Sequence, residues 1–395
     1  MNEKIETPYF LIDKEKLEKN FKDMYVAFKN KWKNLIIGYS VKTNSLPWII
    51  NYFKEKGAYA EVVSKDEFEL AKALGFSLNN IIYNGPIKSE KTFIEALEGN
   101  SILNIDSFTE IEWLKKNKPK NQRMWEIGIR INFDLESMCP GETVMGQMGG
   151  RFGFNYENGE FFNAIKELEK LEYIKISGLH LHNSTKTRSL NVYKDISEMA
   201  IKIKEEFKNL NFKYIDVGGG FFGGLKDKPQ FLEYAKVITE ILEKKYSKDT
   251  TLIIEPGASL VASPISFISK VISIKNVKEN RILTINGSCN NINPLMRDKK
   301  FNIKFKNDLT ARNIIKNQII AGYTCMENDI LLCLKNEKEL FLNDEIEFLN
   351  MGSYTMTLSP LFIEYFPKVI VKDKDKYSIA RERWAVKEFL QKNYL

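Results

Sequence analysis

Lys42 closes the apolar run "LIIGYSV" and precedes Thr43 and Asn44. A lysine in that place is commonly a solvated edge residue, but its amine becomes a nucleophile if an electrophile is held beside it. The chain has only two histidines, His180 and His182, in "GLHLHNST". Two residues apart on a strand, they share one face. An HxH pair suggests a metal hydrolase, yet such centres recruit further histidines and none exist here, so no metal is expected. "DVGGGFFGG" places Gly218, Gly219 and Gly220 directly after a strand. Such glycines let backbone N–H groups close on an anion, although the run matches neither GxGxxG nor a lysine-bearing P-loop. Glu255 in "IIEPGAS" is either an exposed turn acid or a carboxylate facing a bound ring. Cys325 in "GYTCMENDI" is either a small buried filler or a thiol with a task.

Eight short apolar segments must position these groups: "LIIGYSV", "AYAEVVS", "IIYNG", "ILNID", "WEIGIRIN", "ISGLHLH", "YIDVGGG" and "TLIIEPG". Amphipathic helical segments separate most of them, such as "SEKTFIEALEG" and "FLEYAKVITEILEKKY". Strict alternation predicts parallel β/α units, and eight strands close a barrel. A (β/α)8 TIM-like barrel gathers its functional groups at the C-terminal ends of the strands. The candidates fall there: Lys42 after the first, Glu61 and Ser64 on the second, Arg130 on the fifth, His182 on the sixth, the glycines on the seventh and Glu255 on the eighth. A strand-end lysine, a phosphate nest, a histidine ring and a buried acid together describe a site for pyridoxal phosphate, with the lysine forming a Schiff base. After about residue 265, strand-like pieces follow one another with few helices. The expected division is a barrel over 30–265 and a β-rich domain over 266–395, the latter joined by the strand-like opening within 5–29.

The chain of 395 residues is 43% hydrophobic, enough for a large core. No apolar run reaches the ~20 residues of a membrane helix, and "MNEKIETPYFLID" lacks a signal-peptide layout, so a cytoplasmic protein is expected without membrane contact. The net charge of +7 comes from lysines scattered among acids rather than from a basic block, which argues against nucleic acid as a partner. The four cysteines form no CxxC pair, consistent with reduced thiols.

These residues resemble the fold-type III pyridoxal-phosphate decarboxylases, the group with diaminopimelate, ornithine and carboxynorspermidine decarboxylases, whose barrel is like that of alanine racemase. "YSVKTN" is similar to the motif around the Schiff-base lysine, which gives Lys42 that role. "EVVSKDE" resembles the second-strand motif, with Glu61 where aspartate is usual and Glu67 matching a family glutamate. Arg130 in "IRIN" and Arg151 in "RFGF" have counterparts, Arg151 on the substrate side. "HLHNST" is similar to H-x-H-x-G-S, so His182 would stack on the cofactor and Thr185 would bind its phosphate. The resemblance assigns phosphate to Gly218–Gly220, the pyridine nitrogen to Glu255 of "EPGAS" with Gly257 in the same cofactor-binding turn, and proton donation to Cys325 of "CMEND". Asp329 accompanies the cysteine on the substrate side, and Tyr354 in "MGSYT" lies near phosphate and substrate. In the family the cysteine segment serves the partner's site, so a homodimer is implied.

Several positions depart from the pattern. The EPGR arginine is Ala258, and the glycine of H-x-H-x-G-S is Ser184. The acid after the cysteine is Met326, an aspartate that binds ornithine is Asn286, and the arginine of an R-P motif is Asn293. A distal ammonium would find fewer anionic partners among these substrate-side positions. The resemblance implies decarboxylation of a free or conjugated amino acid. A racemase or epimerase on the same scaffold is the alternative, opposed by Glu255 and the Cys325 segment. A non-catalytic pyridoxal-phosphate carrier is the other, opposed by the additional β-domain.

Overall fold

Strands that read as unbroken apolar runs are buried on both faces, and helices with one apolar stripe cover them. The computed structural model describes residues 5–120, 123–298 and 300–393 and builds two units from these elements. One unit spans Asn20–Ser259; the other takes the residues up to Lys19 with those from Leu260 onward.

In chain order the first elements are β1 (Tyr9–Asp13), α1 (Lys14–Lys29), β2 (Leu35–Ser40), α2 (Pro47–Glu55), β3 (Tyr59–Ser64), α3 (Lys65–Ala73), β4 (Ile81–Ile87), α4 (Glu90–Glu98), β5 (Ile102–Ile105) and α5 (Phe108–Lys116). There follow β6 (Trp125–Asn132), α6 (Leu135–Met138), β7 (Phe154–Asn155), α7 (Glu160–Glu169), β8 (Ile174–His180), α8 (Leu190–Glu206), β9 (Tyr214–Asp216), α9 (Phe231–Leu242) and β10 (Thr251–Ile254). Pairing runs β5-β4-β3-β2-β10-β9-β8-β6, and β6 also pairs with β5, which closes an eight-stranded ring. Every pairing in it is parallel. The two-residue β7 hangs on β6 outside the ring. This is the TIM-like barrel that the alternation predicts.

Local chemistry sets the helix starts. Pro47 opens α2, Ser64 Oγ accepts from Glu67 N ahead of α3, and Ser89 and Thr92 cap α4 reciprocally. Inside the ring, Tyr214 packs with Ile82 and Ile253. A Cβ at Gly128 or Gly178 would come within 2.1 Å or 1.9 Å of the Tyr214 side chain, so these glycines make room for it. The second half of α1, within residues 5–29, packs on the barrel: Phe21 meets Phe53 and Phe28 meets Phe221.

The β-rich unit contains α10 (Ala258–Val261) at its boundary, β11 (Ile265–Val277), β12 (Asn280–Ile285), α11 (Cys289–Ile292), β13 (Ile303–Phe305), β14 (Ile314–Ala321), β15 (Ile330–Lys338), β16 (Glu345–Phe348), β17 (Lys368–Asp373), β18 (Lys376–Arg381) and α12 (Val386–Leu390). Its sheet runs β15-β14-β12-β11-β1-β17-β18, with β16 joining β11 to β13. β1 pairs antiparallel with β11 and parallel with β17. Among the described residues, no helix is long and apolar enough to cross a membrane.

Candidate active site

β2 stops at Ser40, and one 3-10 turn over Val41–Thr43 carries Lys42 off the strand end. Lys42 Nζ donates to Glu61 Oε2 at 2.6 Å and to Ser40 Oγ at 2.8 Å; Ser40 Oγ donates to the same carboxylate oxygen at 2.6 Å. Glu61 thus sits within β3 rather than at its end, and it fixes the amine by charge and geometry together. Gly257 lets the turn after β10 close on this lysine turn, since a Cβ there would meet Thr43 Oγ1 at 2.0 Å.

A chain of buried polar groups crosses the barrel beneath Lys42. Asn84 Nδ2 reaches Glu61 Oε1 at 3.1 Å and Glu255 Oε1 at 2.5 Å; Asn104 Nδ2 donates to Asn84 Oδ1, and Tyr214 OH donates to Asn104 Oδ1, both at 2.8 Å. Arg130 pairs with Asp106 at 3.3 Å and donates to the His182 carbonyl at 3.2 Å. Burial pushes Glu67 up to about 7, helped by the charge of Glu61, although Val63 N donates to its carboxylate at 2.8 Å.

His180 ends β8, and His182 lies just beyond it with its ring near-parallel, 6.3 Å away. Desolvation and the Arg130 charge push His182 down to about 3, so its imidazole is neutral. Its Nδ1 accepts from Gly219 N at 3.3 Å. Gly218 has φ +73° and Gly220 φ +95°, the left-handed region that favours glycine. A Cβ at Gly218 would stand 2.4 Å from the His182 side chain, and one at Gly219 would stand 2.1 Å from the Glu255 carbonyl. The glycine run is therefore a cradle that any side chain would fill.

A cavity of about 200 Å³ adjoins this mouth, lined by Arg130, Arg151, Phe152, His182, Thr143 and Met145, among others. The Arg151 guanidinium lies 4.2 Å from the Phe152 ring centre, and among the described residues it forms no ion pair. Thr185 is tied to the same wall by a β-bridge to Thr143.

Within the barrel unit, Lys42, Glu61 and Glu255 join one hydrogen-bonded group, with Glu67 beside Glu61 and Gly257 against the lysine turn; His182 meets Gly218 and Gly219, Arg130 and Arg151 share a cavity with His182, and Thr185 bridges to Thr143 of that cavity's wall. The remaining sequence candidates belong to the β-rich unit. Cys325 is a free, exposed thiol, not a buried filler. Asp329 is buried and accepts from Thr324 Oγ1 at 2.6 Å and Cys289 N at 2.9 Å, so within this unit it holds the turn that carries Cys325 and the half-buried Met326. Asn293 is bonded to its own loop at Arg297. Tyr354 is exposed at a left-handed φ of 55°. Sequence reasoning missed Ser40, Asn84, Asn104, Asp106 and Asp216. Their one signal was a polar residue inside an apolar strand, for Asn84 and Asn104, or at its end, for Ser40, Asp106 and Asp216.

The family model described as "pyridoxal-dependent decarboxylase, pyridoxal binding domain" matches residues 14–262. The chain is similar to the diaminopimelate decarboxylase of Aquifex aeolicus, with 26% identity over 86% of this chain and 80% of the relative. It is also similar to that of Methanocaldococcus jannaschii, with 24% identity over 99% and 92%. In fold, it matches the crystal structure of the M. jannaschii diaminopimelate decarboxylase at a TM-score of 0.88, with 23% identity over 100% of this chain and 93% of that one. It matches the Paramecium bursaria Chlorella virus arginine decarboxylase at 0.78, with 18% identity over 93% and 96%.

Proposed function

Because the chain belongs to the pyridoxal-dependent decarboxylases, and is an amino-acid decarboxylase with pyridoxal phosphate as its cofactor, we propose that Lys42 is the covalent anchor and that the substrate carries a second carboxylate. The barrel residues fit this cofactor: an amine at the mouth, a neutral imidazole, and a glycine cradle closed to any Cβ. Gly218–Gly220 and Thr185 would hold the phosphate, His182 would lie on the ring, and Glu255 would face the ring nitrogen. When bound, pyridoxal phosphate supplies an electron sink for the pair left behind as carbon dioxide departs.

The chain's own groups do the rest. Glu61 and Ser40 hold the Lys42 amine at the strand end until it is needed. Neutral His182 can lie against a ring without adding charge. We assign return of a proton at the α-carbon to Cys325, an exposed thiol on the turn that Asp329 braces, acting from a second copy of the chain as the family resemblance implies. Arg151 supports a dicarboxylic amino acid because its guanidinium lines the cavity with no carboxylate partner among the described residues. The relatives' named substrate, diaminopimelate, belongs to that class. A substrate with only a distal ammonium is disfavoured by Met326 and Asn286, which stand where the resemblance places acids.

The reading is carried by the 2.6 Å contact that puts the Lys42 amine at the mouth above Asn84 and Glu255. Its test is carbon dioxide release from diaminopimelate, acidic amino acids, ornithine and arginine, with Lys42→Ala and Cys325→Ala alongside. Dicarboxylic substrates should turn over, Lys42→Ala should lose the borohydride-reducible chromophore, and Cys325→Ala should turn over roughly 10²-fold more slowly. A chromophore retained in Lys42→Ala, or turnover of ornithine and arginine alone, overturns the anchor or the substrate class respectively.

A further inference from the structure

Asp216 ends β9 with 0% exposure. Its Oδ1 accepts from Gly218 N at 2.8 Å, and its Oδ2 is buried without a donor. Glu255 follows β10, its backbone N–H donating to the Gly218 carbonyl at 2.9 Å. One carboxylate oxygen from each of these acids and one ring nitrogen of His180 lie within 4.8 Å of one another. The nearby cations are engaged elsewhere, Lys42 on Glu61 and Arg130 on Asp106. His180 stands 3.6 Å from Glu255, too far for a direct hydrogen bond, and burial holds it well below the usual histidine range. Two buried carboxylates brought this close without a cation between them cannot both keep their charge.

We propose that Asp216 is a neutral carboxylic acid that donates through Oδ2 to Glu255, making it a positioning residue for the group assigned to the cofactor ring. The proton goes to Asp216 because each acid has one oxygen already met by a donor, and only Asp216 has its other oxygen enclosed with none. Burial and the Glu255 charge both raise its titration well above the ordinary aspartate range. The titratable groups facing it are Glu255, Glu61, His180 and Tyr214. The consequence for the cofactor rests on the assignment of Glu255 made above, whereas the proton itself does not.

The test begins with cofactor-free protein, so failure here is distinct from failure of the cofactor assignment, which would appear as no chromophore in the unaltered enzyme. Infrared spectra at about pH 9, where Glu67 is ionised, should show a protonated carboxylic carbonyl band that Asp216→Asn removes. Glu255→Gln should shift that band, which keeps the proposal testable if Asp216→Asn fails to fold. A side-chain amide in this place would offer the same acceptor and donor, so Asp216→Asn should bind pyridoxal phosphate within roughly threefold of the unaltered protein while Asp216→Leu loses roughly tenfold or more. Loss of carboxylate bands instead, a band indifferent to Glu255→Gln, equal damage from asparagine and leucine, or equimolar divalent metal in washed protein would each overturn it.

Discussion

Lys42 and Glu61 touch at 2.6 Å, yet their side chains are 35% and 1% exposed. The lysine is the more exposed partner and the glutamate is the enclosed one, held also by Asn84 and Ser40. Glu61→Gln keeps the shape and removes the charge that holds the amine in place. Borohydride-trappable cofactor should then accumulate roughly tenfold more slowly, the cost of losing orientation at the reacting atom. An unchanged trapping rate would show that the tether is not used in loading.

Glu67 makes stability depend on pH. Its folded value is raised from 4.5 to about 7, chiefly by burial. A raised group contributes stability that is present below its unfolded value and lost as pH rises through the folded one. The unaltered protein should therefore lose up to about 3 kcal/mol between these two values from this group. Glu67→Gln should flatten that part of the profile, because the amide oxygen still accepts from Val63 N. Urea unfolding at a series of pH values reads the slope directly, and parallel curves for the two proteins would remove Glu67 from the account.

Gly218→Ala tests the cradle. The new Cβ would lie 2.4 Å from the His182 side chain, at a φ of +73° that alanine rarely adopts. Binding of pyridoxal phosphate, followed by absorbance, should weaken at least roughly tenfold. Gly141→Ala is the control: it also has a positive φ, but nothing lies within 4 Å of the added carbon. Equal losses in the two would trace the effect to backbone strain alone.

The barrel was legible because parallel strands buried on both faces read as apolar runs, and each covering helix carries its stripe at a different period. Lys42, His182, the glycines and Glu255 were legible as strand-end residues. Asn84 and Asn104 were not, because they lie inside β4 and β5 and their bond needs those strands paired; Asp216 ends β9, but its setting beside Glu255 needs β9 paired with β10. Cys325 could be read as a buried filler or as a thiol with a task, and its exposed place on the Asp329 turn sets aside the first.

The central place of β1 between β11 and β17 has a consequence for biosynthesis. The strand leaves the ribosome ahead of the barrel, but both of its neighbours leave after the whole barrel has been translated. That sheet cannot zip up in the order it is made, and its long sequence separations predict slow assembly. Until β17 arrives, β1 has a bare edge open to strand pairing with other chains, a period in which a nascent-chain chaperone would have the most to protect.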